Sequence, residues 1–336
     1  MGTLLTVTII SILFFSLTNG MNDGNNVMAT AVASGAVPRK WAVVIVTTAE
    51  FAGPFLFGIP VALTVASGIV KINMLPHTPA SIGLILSGII GAIICNLLAW
   101  TLKLPTSSSF ALVGGLIGPV IYKLGKKAIP WHVLLIKIIG AMILSPILGI
   151  FIGFTIYKLT ATLLSRATTR ANKYLKRVQI FTLAALGSMH GTNDSQKAMG
   201  LIALSLFLAN RTNALTVPLW VMTVSAAVLA TGITMGGTKI LKTVGYGIFK
   251  IRPVHSFSAQ LSAISILLTC NLIGTPVSTT QVISSSAIGV GHAYRKKMVR
   301  WKVIYNIFIS WVLTIPLAAF AGIGAYKILK AIGGIP

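Results

Sequence analysis

Among 336 residues only three are acids, Asp23, Glu50 and Asp194, against 27 Lys plus Arg. A carboxylate at membrane depth costs about 2.5–3.5 kcal/mol on insertion scales, so each acid in so apolar a chain needs a reason. Asp23 follows Asn22 in TNGMNDGNNVMATAVAS (18–34), and Asp194 follows Asn193 in MHGTNDSQKAMGLIALS (189–205). Carboxylate and amide oxygens are hard donors that suit a cation such as sodium, and a buried aspartate can instead carry a proton. Asn26, Asn96 and Asn271 are further candidate oxygen donors. An Asp at a helix start can also be a plain N-cap, and the adjoining glycines permit a helix break there. Capping alone leaves unexplained why two of three acids occupy equivalent places.

A second constellation is a proline followed by hydroxyl residues and a short apolar stretch, LPTSSSFALVGGLIG (104–118) and TPVSTTQVISSSAIG (275–289). Pro105 and Pro276 fit the first turn of a helix. Free N–H groups at a helix start, with the positive end of its dipole, favour an anion. Ser107, Ser108 and Ser109 in one copy, and Ser278, Thr279 and Thr280 in the other, would add six hydroxyls. Ser/Thr side chains also serve simply as packing glue between membrane helices. Cation sites beside an anion site point to symport. A divalent anion entering a negative-inside cell is opposed by ~4.6 kcal/mol per 100 mV, which two monovalent cations cancel and a third overturns.

These elements are duplicated at one offset. Asn22 and Asn193, Asp23 and Asp194, Met28 and Met199, and Pro105 and Pro276 all stand 171 positions apart. The chain therefore divides into a first transmembrane repeat (1–160), a basic linker (161–177) and a second repeat (178–336). Paired halves with polar breaks at matching places point to a secondary-transporter site at the repeat interface.

The elements that carry these residues must be membrane helices. The chain is 55% hydrophobic and 9% charged, with mean hydropathy +0.90, whereas a soluble domain is about 25% charged. Apolar runs at 2–18, 41–70, 80–102, 132–157, 214–237, 256–273 and 303–328 predict spans, with shorter runs at 106–122, 178–189, 198–209 and 282–291. The expected fold is an all-α polytopic membrane protein of two inverted repeats, with broken or re-entrant helices meeting at a midplane site. The net charge of +24 does not imply nucleic acid, because the basic residues lie mostly between the apolar runs. Their clusters at 166–177 and 295–302 predict a cytoplasmic linker and contact with anionic lipid. An odd number of crossings per inverted repeat then places both termini outside the cell.

The chain resembles the inorganic phosphate transporter (Pit) family. The likeness rests on the duplicated elements GMNDGNN, GTNDSQK, LPTSSS and TPVSTT, and on HGTNDSQKAMG, FAGPFLFG and RWKVIYNIFISWVLTIP. It implies a plasma-membrane protein that imports inorganic phosphate with sodium or protons, or as a metal–phosphate complex, and that forms a homodimer. It implies a substrate and cation core at Asn22, Asp23, Asn193 and Asp194, a phosphate cradle at Ser107–Ser109 and Ser278–Thr280, and a cation ligand at Glu50. No organic cofactor is implied. Three positions depart from the family pattern. Gln281 and Gln260 stand where His and Glu are common, and Lys197 stands where the first repeat has Asn26. The Lys197 ammonium could replace a bound cation or help hold the anion, or could snorkel from a helix end. His190 reads as a packing or hydrogen-bonding residue. Rival readings are a carrier of another tetrahedral oxyanion such as sulfate, an anion channel, and a lipid-phosphate enzyme. The enzyme lacks a nucleophile–base pair or metal cluster in the sequence.

Overall fold

The computed structural model describes every residue except 103–105, 169, 237–238 and 336. Twelve α-helices succeed one another among the described residues. They are α1 (Gly2–Ala33), α2 (Arg39–Phe57), α3 (Pro60–Gly68), α4 (Pro79–Leu102), α5 (Ser108–Leu124), α6 (Ala141–Leu163), α7 (Arg170–Leu208), α8 (Leu219–Met235), α9 (Lys239–Gly247), α10 (Pro253–Leu272), α11 (Thr279–Arg295) and α12 (Trp301–Ala331). A π-helical stretch, Val133–Gly140, leads into α6. Among the described residues, five segments are long and apolar enough to cross a membrane: α1, α2, α4, the π stretch with α6, and α12. The fold is an all-α polytopic membrane protein.

The order of long and short helices repeats, α1–α6 and then α7–α12. The packing repeats with it: α5 lies on α12 as α11 lies on α6, and α2 lies on α7 as α8 lies on α1. Helices α1 and α7 run antiparallel. Asn19 meets Asp194, Asp23 stands beside His190, and Ser34 at the end of α1 meets Gln179 near the start of α7.

Several expected boundaries are corrected. The polar Asn-Asp elements neither break nor cap a helix, since α1 and α7 run straight through them. Propensity argues against Asn, Asp and Gly in a helix interior, but tertiary partners override it here. The glycines serve close approach instead. A Cβ on Gly20 would lie 2.1 Å from the Leu229 carbonyl oxygen of α8, and one on Gly191 2.2 Å from the Glu50 carbonyl oxygen of α2. The runs 178–189 and 198–209 are parts of one helix, α7. Conversely, the run 41–70 breaks between α2 and α3, where Gly58 takes a left-handed φ of 75° and Pro60 opens the next helix. The basic stretch 161–177 is partly helical, because α6 ends at Leu163 and α7 starts at Arg170. Pro105 lies outside the described residues. Pro276 precedes α11 rather than opening it, and a hydroxyl residue supplies each N-cap.

Two apolar cores flank the middle of the molecule. One takes Ile12 and Phe15 of α1 with Ala198–Ile202 of α7; the other takes Val27–Ala31 of α1 with Leu183–Met189 of α7. Because α1 and α7 are antiparallel, their polar stretches fall together between the cores.

Candidate functional site

All three acids are buried, as are Lys197 and His190. Asp23, Glu50, His190 and Asp194 each have a polar contact from the other half, and Lys197 pairs with Asp194 on its own helix. The fifth and eleventh helices point their N-termini at the α1–α7 crossing. Ser107 caps α5 by accepting from Phe110 N (3.2 Å), and Ser278 caps α11 by accepting from Gln281 N (3.4 Å). The hydroxyls of the next residues then reach the carboxylates. Ser108 Oγ donates to Asp23 Oδ2 (2.7 Å), and Thr280 Oγ1 donates to Asp23 Oδ1 (2.5 Å). Thr279 Oγ1 donates to Asp194 Oδ1 at 3.4 Å. Ser109 Oγ turns instead to the Val277 carbonyl oxygen (2.9 Å). The hydroxyl cradle and the acids, distinct constellations in the sequence, thus form one site.

Asp194 has two further partners and a neighbouring cation. Asn19 Nδ2 donates to its Oδ2 (3.0 Å), His190 Nε2 lies 3.5 Å from the same oxygen, and the Lys197 ammonium lies 2.8 Å from Oδ1. His190 Nδ1 lies 2.5 Å from Glu50 Oε1, so the imidazole bridges two carboxylates. One donor atom each from Asp23, His190 and Asp194 lies within 4.8 Å of the others, a spacing that could hold a cation. Neither His190 nor Asn19 was selected as a site residue by type. Both could have been found from the offset, for they stand 171 apart and each lies four residues before an aspartate, on the same helix face.

The asparagines fall into two groups. Asn22 Nδ2 donates to the Asn96 carbonyl oxygen (3.1 Å), and Asn193 Nδ2 donates to Asn271 Oδ1 (2.8 Å). Asn271 Nδ2 in turn donates to the Met189 carbonyl oxygen (3.0 Å). These bonds tie α1 to α4 and α7 to α10, through the Asn96 main-chain carbonyl in one half and the Asn271 side chain in the other. Asn26 Nδ2 donates to Thr280 Oγ1 (2.8 Å), which places Asn26 inside the site. Among the described residues, the amide oxygens of Asn19, Asn22, Asn26 and Asn193 and Glu50 Oε2 are buried without a hydrogen-bond partner. Such acceptors are rare in folded proteins and mark places where an ion can be coordinated.

Of the three departing positions, Lys197 is in the site and the two glutamines are not directly on it. Gln260 accepts from the Thr182 hydroxyl, twelve residues before Asp194 and so about 18 Å along α7. The Gln281 side chain faces an apolar cleft of 540 Å³ together with Phe110, its equivalent in the first half.

A family model described as the phosphate transporter family matches residues 19–322. The chain belongs to the phosphate transporter family. It is 39% identical to a probable low-affinity inorganic phosphate transporter of Bacillus subtilis (strain 168), over 99% of this chain and 100% of the relative. It is 37% identical to a protein of the same description from Rhizobium meliloti (strain 1021), over 91% of each. A solved structure titled "The sodium-dependent phosphate transporter" superposes with a TM-score of 0.89 at 25% identity, covering 98% of this chain and 100% of that one. The family and these relatives are transporters, not enzymes.

The hydroxyl contacts on the acids predict graded losses. Ser108→Ala or Thr280→Ala removes a hydrogen bond to a charged group, worth about 1.5–3 kcal/mol, and should raise the phosphate KM by roughly 10- to 100-fold. Thr280→Ser, which keeps the hydroxyl, should stay near the parent value. Initial rates of labelled phosphate uptake check both.

Proposed function

We propose that the chain imports inorganic phosphate across the plasma membrane by symport with sodium, using one site at the α1–α7 crossing. The observation that carries this reading is the contact between cradle hydroxyls and buried acids, Ser108 and Thr280 on Asp23 and Thr279 on Asp194. An anion entering among three carboxylates meets like charge at a few ångströms, so cations must come with it. The unpartnered amide oxygens favour sodium over a proton, because an alkali ion needs several oxygens and a proton needs one acceptor. The similar solved structure, that of a sodium-dependent phosphate transporter, agrees.

The antiparallel α1 and α7, equivalent elements of the two halves, support inverted repeats. With the basic stretch 161–177 on the cytoplasmic side, both termini then lie outside. We carry the homodimer over from the family resemblance.

The test is labelled phosphate uptake into proteoliposomes under a sodium gradient and, separately, a proton gradient. Sodium-driven accumulation, competed by arsenate better than by sulfate, is the expected result. Accumulation driven only by protons would overturn the choice of ion. Flux indifferent to both gradients would return the protein to a channel, and sulfate as the better competitor would change the cargo.

A further inference from the structure

The two halves of the site differ at one charge. Positions 26 and 197 are equivalent, each three residues after its aspartate, but one is Asn and the other Lys. In the first half, Asp23 takes the Ser108 and Thr280 hydroxyls, and Asn26 bonds to Thr280 while its own amide oxygen is unpartnered. The twofold counterpart of Thr280 is Ser109, which should reach Asp194 in the same way. It does not: Ser109 donates to the Val277 carbonyl oxygen, and Asp194 Oδ1 faces the Lys197 ammonium at 2.8 Å. The ammonium occupies the second member of a symmetric pair of places, and the first member is built of neutral oxygens beside a carboxylate.

We propose that the Lys197 ammonium is a tethered cation: it fills the second-half counterpart of the Asp23–Asn26 cation site, so this chain moves one cation fewer per phosphate than a carrier with Asn at that position. This rests on the phosphate–sodium symport reading above. The physical basis is charge. A lysine ammonium carries the same unit charge as sodium, but being bonded to the chain it returns with the empty carrier and contributes no net charge to transport. Glu50 reaches the same cluster through His190, and among the described residues Lys197 is the one Lys or Arg that makes an ion pair with an acid. The cost of the arrangement is driving force. One transported cation fewer means about 2.3 kcal/mol less work per 100 mV of membrane potential. A chain so equipped needs less sodium and concentrates phosphate less steeply.

The experiment compares the full-length protein with Lys197→Asn and Lys197→Arg in proteoliposomes. The readout is the membrane potential at which a set phosphate gradient gives zero net flux, which reports the charge moved per phosphate. Lys197→Asn restores the first-half residue and should raise that charge by one and steepen the sodium dependence of uptake. Lys197→Arg should keep the wild-type charge, whatever its rate. An unchanged charge and unchanged sodium dependence in Lys197→Asn would overturn the proposal. If Lys197→Asn takes up no phosphate, its thermal unfolding in sodium chloride against choline chloride decides. Sodium-specific stabilisation beyond that of wild type is expected, and its absence would overturn the proposal as well. If wild type itself moves no phosphate, the transport reading fails, and the unfolding comparison still answers for the lysine.

Discussion

Asp23→Asn and Asp194→Asn should each lower sodium-driven phosphate uptake by at least about 100-fold, equivalent to ~2.7 kcal/mol. The size follows from what the carboxylate does. Asp23 accepts two hydroxyl hydrogen bonds, one from each half, at 2.7 and 2.5 Å. An amide in its place turns one acceptor into a donor, which then faces a hydroxyl that must reorient. A charge-assisted hydrogen bond is worth about 1.5–3 kcal/mol, and the attraction for a cation disappears with the charge. For Asp194 the loss is different in kind. Its removal leaves the Lys197 ammonium buried without its counter-charge, the costly way to break a buried pair, about 3–5 kcal/mol. Asp194→Asn should therefore also unfold at a lower temperature than Asp23→Asn. Uptake close to wild type in either variant would exclude that carboxylate from the transport step. Equal melting temperatures for the two would mean that Lys197 finds another counter-charge.

The second large effect is on folding rather than on chemistry. Gly191→Ala should destabilise the protein by at least ~1–3 kcal/mol, the cost of forcing extra volume into a packed interface. Its Cβ would lie 2.2 Å from the Glu50 carbonyl oxygen and 2.4 Å from the Glu50 Cα, both backbone atoms that no rotamer change can move aside. Helices α2 and α7 would have to separate, which would draw Glu50 away from His190. The same substitution at Gly324, where an added Cβ meets nothing within 4 Å, should be neutral or stabilising by up to about 1 kcal/mol through helix propensity. Thermal unfolding in detergent, read by loss of the monodisperse peak, compares the two. A Gly191→Ala protein as stable as Gly324→Ala would show that the α2–α7 contact is looser than its geometry.

Much of this protein is legible in its sequence. Membrane helices follow from runs of apolar residues long enough to span, because in lipid every backbone group must be satisfied within the helix. The duplication follows from one offset kept by two motifs. The acids drew attention because a carboxylate is expensive in apolar surroundings and this chain carries only three. The proline and hydroxyl run before α11 marked a helix start, but the helix opens after Pro276, at a Ser278 N-cap that satisfies an N–H group the helix itself cannot.

Other features depended on partners far away in sequence. Asn22, Asp23 and Gly20 have the composition of a helix break, yet α1 continues through them. The reason is that Asn96, Ser108 and Thr280 meet their side chains, and Leu229 of α8 needs the space that Gly20 leaves. His190 has no ligand spacing along the chain. It becomes the bridge between Glu50 and Asp194 only when α2 packs beside α7. Gln260 is polar and stands in a family position, but its helix leaves it on Thr182, well away from the acids. The sequence by itself determined the membrane class, the duplication and the residues with unusual cost. Only the tertiary structure decided that the hydroxyls and the acids lie together, and that one half of that cluster sets a lysine against its aspartate. Burial costs and helix starts are properties of short segments and can be read locally. A hydrogen bond across 85 or 257 residues depends on which helices lie against each other, and no local pattern encodes that.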